Sequence, residues 1–228
     1  MKQVSFLLIA VAFVLLVYPP VHLGAQTTAG FRAGLSVATF GGGPIDADYD
    51  YRGGVSLGAY LDLSMSERLG LQIGLGYAQK GADLTVETYP ELGTLNWRNP
   101  IGYLEIPILL RLDIAPGRRV SPQVLVGPAL SLKTSCEWKA DISGNPLRVD
   151  CDEPGFEIRT VDFGGMGGLS LKVELSERIA LVGDTFYAFG LRSIGEGGDS
   201  VKNRAFSLTL GMALLFGKGT KRYSGPGA

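Results

Sequence analysis

Histidine is nearly absent from this chain of 228 residues. The single histidine, His22, lies in an N-terminal segment that we predict to be removed after export. The mature protein would then contain no histidine. Catalysis by Ser-His or Asp-His groups, as in lipases, acyltransferases and some proteases, needs the imidazole as its base. We therefore expect no catalytic residue and a protein that is not an enzyme.

Motifs for cofactors and nucleic acids are also missing. The glycine-rich stretches 41–43 and 164–168 lack the Lys-Ser/Thr of a phosphate loop, and neither leads into a predicted helix. The 21 basic and 22 acidic residues nearly balance, and no basic patch stands out. This argues against a nucleic-acid partner. We expect no cofactor.

One acidic segment, GGGPIDADYDY (41–51), is a weak candidate for calcium binding. Asp46, Asp48 and Asp50 alternate as ligands do in calcium loops. The segment lacks a glutamate at the twelfth position, and Arg52 lies close. An ordinary solvated acidic loop is the favoured interpretation, and we predict no metal site.

Long hydrophobic runs are limited to one, VSFLLIAVAFVLLV (4–17). Lys2 precedes it, and two prolines followed by Gly24 and Ala25 come after it. This is the layout of a secretory signal peptide, and the run is shorter than the roughly 20 residues of a spanning helix. We predict a signal peptide over 1–25 with cleavage after Ala25. An uncleaved N-terminal anchor is the alternative.

Cysteine is scarce, and its two copies lie in one polar segment. Cys136 and Cys151 are 15 positions apart. Exported proteins meet an oxidising compartment, which favours a disulfide within this loop. Two free thiols are the alternative, and a zinc site is weaker because the spacing matches no ligand pattern.

Apolar and polar residues alternate with period 2 along the mature chain, which is typical of β-strands. We predict eight strands, at residues 30–39, 53–64, 70–80, 101–114, 119–133, 159–175, 178–191 and 203–216. Short turns alternate with long connections, at about 40–52, 81–100, 134–158 and 192–202. This predicts an all-β fold, an eight-stranded antiparallel transmembrane β-barrel with short periplasmic turns and long extracellular loops. The barrel domain would span 26–216, and the C-terminal tail 217–228.

Composition indicates which face of the strands is inside. In IGYLEIPILLRLDI (101–114) the even positions from Leu104 to Ile114 are all aliphatic, and the odd positions include Glu105 and Arg111. The polar faces of four other strands, 30–39, 53–64, 70–80 and 203–216, consist mostly of Gly, Ala, Ser and Thr, which suit a narrow lumen better than a surface washed by water. The aliphatic face would then contact lipid. Aromatic residues near strand ends are candidates for interfacial girdles: Phe31, Phe40, Trp97, Phe189, Phe206 and Phe216.

With this orientation the lumen would carry six positive and six negative side chains. They are Arg32, Lys80, Arg111, Lys133, Lys172, Arg192, Asp62, Glu105, Asp113, Asp162, Glu174 and Asp184. Several would lie at the rims, and those at mid-depth, with Glu105, Arg111, Asp162 and Asp184 as candidates, must pair because an unpaired buried charge is costly. We predict a lumen charge network of Arg32, Asp62, Glu105, Arg111, Asp162, Lys172 and Asp184. Its favoured role is a salt-bridged plug, and a proton or ion path is the alternative.

Five residues fit poorly in paired strands. Pro107, Pro122 and Pro128 lack a donor for the β-ladder, and Gly165 and Gly167 would face lipid. We expect β-bulges at these points.

The sequence also resembles a family. The segments YLEIPILLRLD (103–113), DFGGMGGLSLKVEL (162–175) and FSLTLGMALLF (206–216) are similar to outer-membrane β-barrel domains of the PorT-like type. The resemblance implies an eight-stranded barrel in the outer membrane, assembled by the barrel assembly machinery. Many such barrels end on an aromatic residue, whereas here Phe216 is followed by the tail.

The favoured function is a non-enzymatic, monomeric integral outer-membrane barrel in contact with outer-membrane lipid. It would have a narrow salt-bridged lumen and would bind an extracellular or periplasmic protein through its loops. A small passive channel or transporter is the first alternative, and a secreted soluble ligand-binding barrel is the second.

Overall fold

The computed structural model describes residues 27–42, 49–87, 94–142, 145–151, 153, 158–195 and 201–216. The predicted signal peptide, the predicted cleavage after Ala25, His22, Asp46, Asp48 and the tail 217–228 lie outside the described residues.

Within these described ranges, nine antiparallel strands form one sheet, and eight of them close into a barrel. The strands are β1 (Thr27–Gly41), β2 (Arg52–Ser64), β3 (Leu69–Glu87), β4 (Thr94–Asp113), β5 (Val120–Ile142), β6 (Asn145–Asp150), β7 (Val161–Glu174), β8 (Ile179–Gly190) and β9 (Lys202–Phe216). Each barrel strand pairs with its neighbours along the chain, except that β7 follows β5 and β9 closes on β1. The predicted eight-stranded barrel is confirmed, and β6 is an additional strand on the edge of β5.

Alternation along each strand separates a lipid face from a lumen face. In β4 the even positions from Leu104 to Ile114 point outward, and the odd positions from Tyr103 to Asp113 are buried inside. Large apolar side chains cover the outside, among them Leu208, which is 57% exposed. A membrane requires this arrangement, since lipid offers no hydrogen-bond partner and only a closed sheet satisfies its own backbone.

The two Ser-Glu-Arg turns have the same local geometry. The Oγ of Ser66 accepts hydrogen bonds from the backbone N–H groups of Arg68 and Leu69, at 3.4 and 3.0 Å. In the other turn the Oγ of Ser176 accepts from Arg178 and Ile179, at 3.3 and 3.2 Å. A serine in such a turn satisfies backbone donors that the sheet leaves free. We call this side of the barrel the turn end.

The prediction of bulges at the prolines was wrong. The only register shift between β4 and β5 lies at Gly102/Tyr103. Around Pro107 the pairing of β4 with β3 is interrupted and resumes in the same register. The proline ring packs against Gly74 of β3, where an added Cβ would lie only 2.8 Å from the Cγ of Pro107. A side-chain-free glycine opposite the ring therefore replaces the bulge.

The other misfits are also accommodated without a bulge. Pro122 and Pro128 lie in β5, which pairs with β7 without a register shift. Gly165 and Gly167 lie in β7, which pairs with β8 without a register shift. Gly165 faces lipid, as predicted, and the ring of Phe189 covers it at 2.5 Å from where its Cβ would lie. Phe189 stacks on Tyr187 with ring centroids 6.2 Å apart. An aromatic side chain on the neighbouring strand thus covers the bare glycine.

Two predicted loops are largely strand. The segments 81–87 and 94–100 continue β3 and β4, and 134–142 continues β5 with β6 beside it. Together they form a four-stranded extension at the loop end of the barrel. Trp97 and Trp138 meet edge to face there, at 6.3 Å, so Trp97 is not a girdle residue of the barrel wall. Alternation was lost in this extension because no lipid faces it.

Candidate functional site

The lumen near the turn end is occupied by one arginine and its partners. Arg111 of β4 lies 2.8 Å from a carboxylate oxygen of Asp62 and also pairs with Asp113. Its Nη2 donates to the Oγ of Ser64 at 3.1 Å, and Gln123 donates to Asp113 at 3.2 Å. All five side chains project from lumen positions of β2, β4 and β5. The guanidinium satisfies two carboxylates at once because its donors form a planar fork.

A second charge lies between two aromatic rings. Arg32 of β1 forms an ion pair with Asp184 of β8 at 3.2 Å and donates to Gln72 of β3 at 3.3 Å. Its guanidinium carbon is 5.1 Å from the ring centroid of Tyr60 and 4.5 Å from that of Phe186. Cation–π contact and ion pairing therefore hold the same group from several sides of the lumen.

The third charge cluster lies closer to the loop end of the barrel, where its mouth is. Lys80 of β3 pairs with Glu105 of β4 at 2.6 Å, and its ammonium is 5.4 Å from the ring centroid of Tyr103. Ser131 of β5 donates to Glu105 at 3.4 Å. The predicted single network is therefore three separate clusters around Arg111, Arg32 and Lys80.

The remaining predicted charges are more dispersed. Lys172 pairs with Glu174 of its own strand at 3.6 Å. Lys133 donates to the backbone oxygen of Ile158 at 2.7 Å. Arg192 was wrongly predicted to face the lumen, since it follows the end of β8 and is exposed. Asp162 does lie inside, but it has only a neutral partner, the side-chain amide of Asn203 at 3.0 Å.

The lumen also contains apolar side chains that the charge pattern missed. Leu109, Leu125, Met166 and Phe186 belong to one buried cluster. Leu109 has lumen parity in β4, so alternation alone could have identified it. A cavity of about 30 Å³ remains beside this cluster, with Arg32 and Phe186 in its lining. Such a volume has room for about two water molecules.

The mouth of the barrel is covered by an apolar cap. The cap contains Phe40, Ala82, Ile101, Tyr103, Cys151, Ile158 and Ile194. Cys151 is joined to Cys136 of β5 by a disulfide with a Cα–Cα distance of 5.6 Å, as predicted. Ile158 and Ile194 come from the connections before β7 and after β8, and the backbone N–H of Arg159 donates to the oxygen of Ile194 at 2.8 Å. Phe40 therefore lies in the mouth and not in a girdle.

Metal ligands are not clustered within the part of the chain that the structure describes. No group of three His, Cys, Asp or Glu residues suited to a metal ion occurs there. Asp50 forms an isolated backbone bridge with Asp83 at the loop end. Over the same residues, no helix has the length and apolar character needed to cross a membrane.

The comparison with protein families decides the identity of the barrel. A model described as outer membrane protein beta-barrel domain matches residues 25–196. The chain belongs to this family. As a member of the outer membrane protein beta-barrel domain family, it is an integral protein of the outer membrane, and the alternative of a secreted soluble barrel is wrong. The outer face of the barrel is therefore in contact with outer-membrane lipid.

Solved outer-membrane proteins resemble the chain at low identity. Neisserial surface protein A is 14% identical with a TM-score of 0.42, covering 85% of this chain and 98% of its own. OprG from Pseudomonas aeruginosa is 11% identical with a TM-score of 0.47, covering 84% and 97%. A major outer membrane protein from Thermus thermophilus is 15% identical with a TM-score of 0.47, covering 86% and 100%. No curated protein sequence matches the chain.

Proposed function

We propose that this family member is a non-enzymatic, monomeric barrel of the PorT-like type whose lumen does not conduct and whose loop end binds a protein partner. The observation that supports a closed lumen best is the position of Arg32. Its guanidinium is held between the rings of Tyr60 and Phe186 and paired with Asp184. Together with Gln72 of β3, which accepts a hydrogen bond from Arg32, residues of four strands contribute to this cluster, so it extends across the lumen.

Energetics favours a lumen that stays closed. Removing one partner of a buried ion pair costs about 3–5 kcal/mol because the other charge is left uncompensated. Opening the lumen would separate such a pair and leave both charges uncompensated. The clusters around Arg111 and Lys80 add further ion pairs along the axis. The apolar cluster of Leu109 and Leu125 occupies another part of the interior. A hydrated solute would have to displace all of these contacts.

The proposal of partner binding is supported by the extension at the loop end. Its last strand, β6, pairs with β5 on one side, and the described chain supplies no strand for its other edge. Leu147 of β6 is 48% exposed, and Tyr51, next to β2 in the sequence, is also exposed. Free edges and exposed apolar residues are features of protein-binding surfaces.

Conductance measurements test the closed lumen. Purified barrel in planar lipid bilayers is expected to give no reproducible open steps. The double variant Arg32→Ala with Asp184→Ala, which removes the central pair, is expected to conduct. Arg52→Ala with Asp83→Ala removes an ion pair at the loop end and serves as the control. Clear open steps in the wild type would support the passive channel and contradict this proposal.

Site-specific cross-linking tests partner binding. A photo-reactive side chain at position 147 of the extension is expected to cross-link a protein in intact cells. The same group at position 208, on the lipid face, is the control. Equal cross-linked species from both positions would contradict binding through the extension.

A further inference from the structure

Asp162 is an exception among the lumen carboxylates. The others each have a basic partner: Asp62 and Asp113 pair with Arg111, Glu105 with Lys80, Glu174 with Lys172, and Asp184 with Arg32. Asp162 is only 5% exposed, yet no described basic side chain lies within ion-pair distance of it. Its Oδ1 also has no hydrogen-bond partner among the described residues. A buried carboxylate without a counter-charge is costly.

A second buried acceptor lies beside it. Asn203 of β9 is 2% exposed, and its Nδ2 donates to Asp162 and to the Oη of Tyr103, both at 3.0 Å. The Oδ1 of the same amide has no partner in the described chain. Two oxygens that can only accept are therefore unsatisfied within one cluster. A hydrogen-bond donor or a cation would satisfy them, and further acceptors would not.

The backbone of β8 lies close to this carboxylate. Gly190 is the lumen-facing last residue of β8, and a Cβ there would lie 3.3 Å from both carboxylate oxygens of Asp162. It would also lie 3.4 Å from the backbone nitrogen of Asn203. Any side chain at this position would crowd the carboxylate, and the glycine avoids this.

The cap above the cluster limits the size of what can occupy it. Tyr103, which contacts Asn203, is fully buried and belongs to the cap together with Cys151. A buried position beneath the cap suits a small ion that has lost most of its water, and it does not suit a large organic cation. Carboxylate, amide and phenol oxygens are hard ligands, which Na⁺ and Ca²⁺ prefer over nitrogen or sulfur.

We propose that Asp162, Asn203 and Tyr103 form a binding site for a small inorganic cation beneath the disulfide-linked cap. The ion supplies the counter-charge that the other lumen carboxylates receive from lysine or arginine. Because it would bind the folded barrel and not the unfolded chain, it stabilises the barrel increasingly as its concentration rises. This role is independent of whether the loop end binds a partner.

Cation-dependent stability of the whole barrel tests the site. The thermal midpoint of refolded protein in detergent is measured by heat-modifiable gel migration, with choline chloride replaced by NaCl or by CaCl₂ at constant ionic strength. We expect the midpoint to rise and then saturate with at least one of the two small cations. Equal midpoints in sodium, calcium and choline would overturn the proposal, because a bound small cation must stabilise the folded barrel.

Two variants locate the effect at this site. Asp162→Asn removes the charge with little change in shape, and we expect it to abolish the cation-dependent rise. Gly190→Ala places a methyl group against the carboxylate and keeps the charge, so we expect saturation at a higher cation concentration. Asp83→Asn and Gly53→Ala are the matched controls, since Asp83 lies at the loop end and nothing lies within 4 Å of a Cβ at Gly53.

The variants can also refute the proposal. An undiminished cation-dependent rise in Asp162→Asn would show that the ion binds elsewhere. A rise that is equally lost in Asp83→Asn would show a general charge effect. If Asp162→Asn fails to fold, the saturation curve of Gly190→Ala decides: a curve identical to that of Gly53→Ala overturns the site.

Discussion

The interior of the barrel and its mouth are closed by different kinds of contact. Inside, the charges of Arg32 and Arg111 are paired with carboxylates that lie two strands away around the barrel. At the mouth, Ile158 and Ile194 from two connections pack on residues of the barrel rim, and a disulfide ties Cys151 to β5. Strands hold the first set of side chains in place. The second set comes from segments with little regular structure, which need a covalent link or backbone hydrogen bonds.

This difference between interior and mouth indicates where each kind of perturbation should act. Loss of one member of a buried ion pair leaves a charge in a low-dielectric interior, so its effect is large and spreads to the whole barrel. Loss of a cap contact should affect the mouth first, because the ladder of the barrel does not depend on it. We therefore expect the effects of substitutions to decrease from the lumen to the cap and then to the exposed loop end.

The largest effect is expected for Arg111→Met. The substitution leaves Asp62 and Asp113 buried without their base, which costs about 3–5 kcal/mol in the free energy of unfolding. Urea unfolding of the barrel refolded in lipid vesicles measures this loss. Neutralising both acids in the same chain should recover part of it. If Arg111→Met unfolds at the wild-type urea concentration, the buried pairs do not stabilise the barrel.

Removal of the disulfide is expected to have the next largest effect. Cys136→Ser with Cys151→Ser releases a loop of 15 residues, which costs roughly 3 kcal/mol in the chain-entropy model. We expect proteolysis to begin near the mouth while the barrel keeps its heat-modifiable migration. Thiol labelling before reduction should find no free cysteine in the wild type. Quantitative labelling of both cysteines would refute the bond.

The barrel wall was predictable because a membrane imposes a simple rule on each strand. Every lipid-facing position must be apolar, so alternation in IGYLEIPILLRLDI was enough to place Glu105 and Arg111 inside. The small residues of the other strands then decided which face is the lumen. The family match agrees with the barrel, whereas the PorT-like type remains a proposal.

The partners of the lumen charges were not predictable from spacing. Arg32 and Asp184 are 152 positions apart, and Arg111 and Asp62 are 49 apart. Which charges meet depends on how the register of eight strands adds up around the barrel, and no local pattern encodes that sum. The same limit explains why the sequence did not reveal that Asp162, predicted to pair with a charge, has only the neutral partner Asn203. The extension with β6 was missed because no lipid faces it, so its sequence lacks the alternation that marks the barrel wall.

A smaller effect is expected in the cap. Ile194→Val removes one methylene group from a buried side chain and should cost about 0.5–1.5 kcal/mol. Ile73→Val on the lipid face is the matched control, because lipid fills the space that the methylene group leaves. Urea titration of both variants measures the difference. Equal losses of unfolding free energy in both variants would mean that Ile194 is not packed in the cap.

The smallest effect is expected for Arg52→Met, which removes an ion pair outside the lumen. Arg52 and Asp83 lie 2.7 Å apart, but their side chains are 25% and 31% exposed. Water and salt screen such a pair, so its loss should cost less than about 1 kcal/mol, and the difference should shrink further at high salt. Arg111→Met should keep its effect at the same salt concentration, because its ion pairs are buried and dissolved salt screens buried pairs much less than exposed ones. Urea titrations of both variants at low and high salt therefore separate the two environments: equal salt dependence would mean that the lumen around Arg111 is as wet as the loop end.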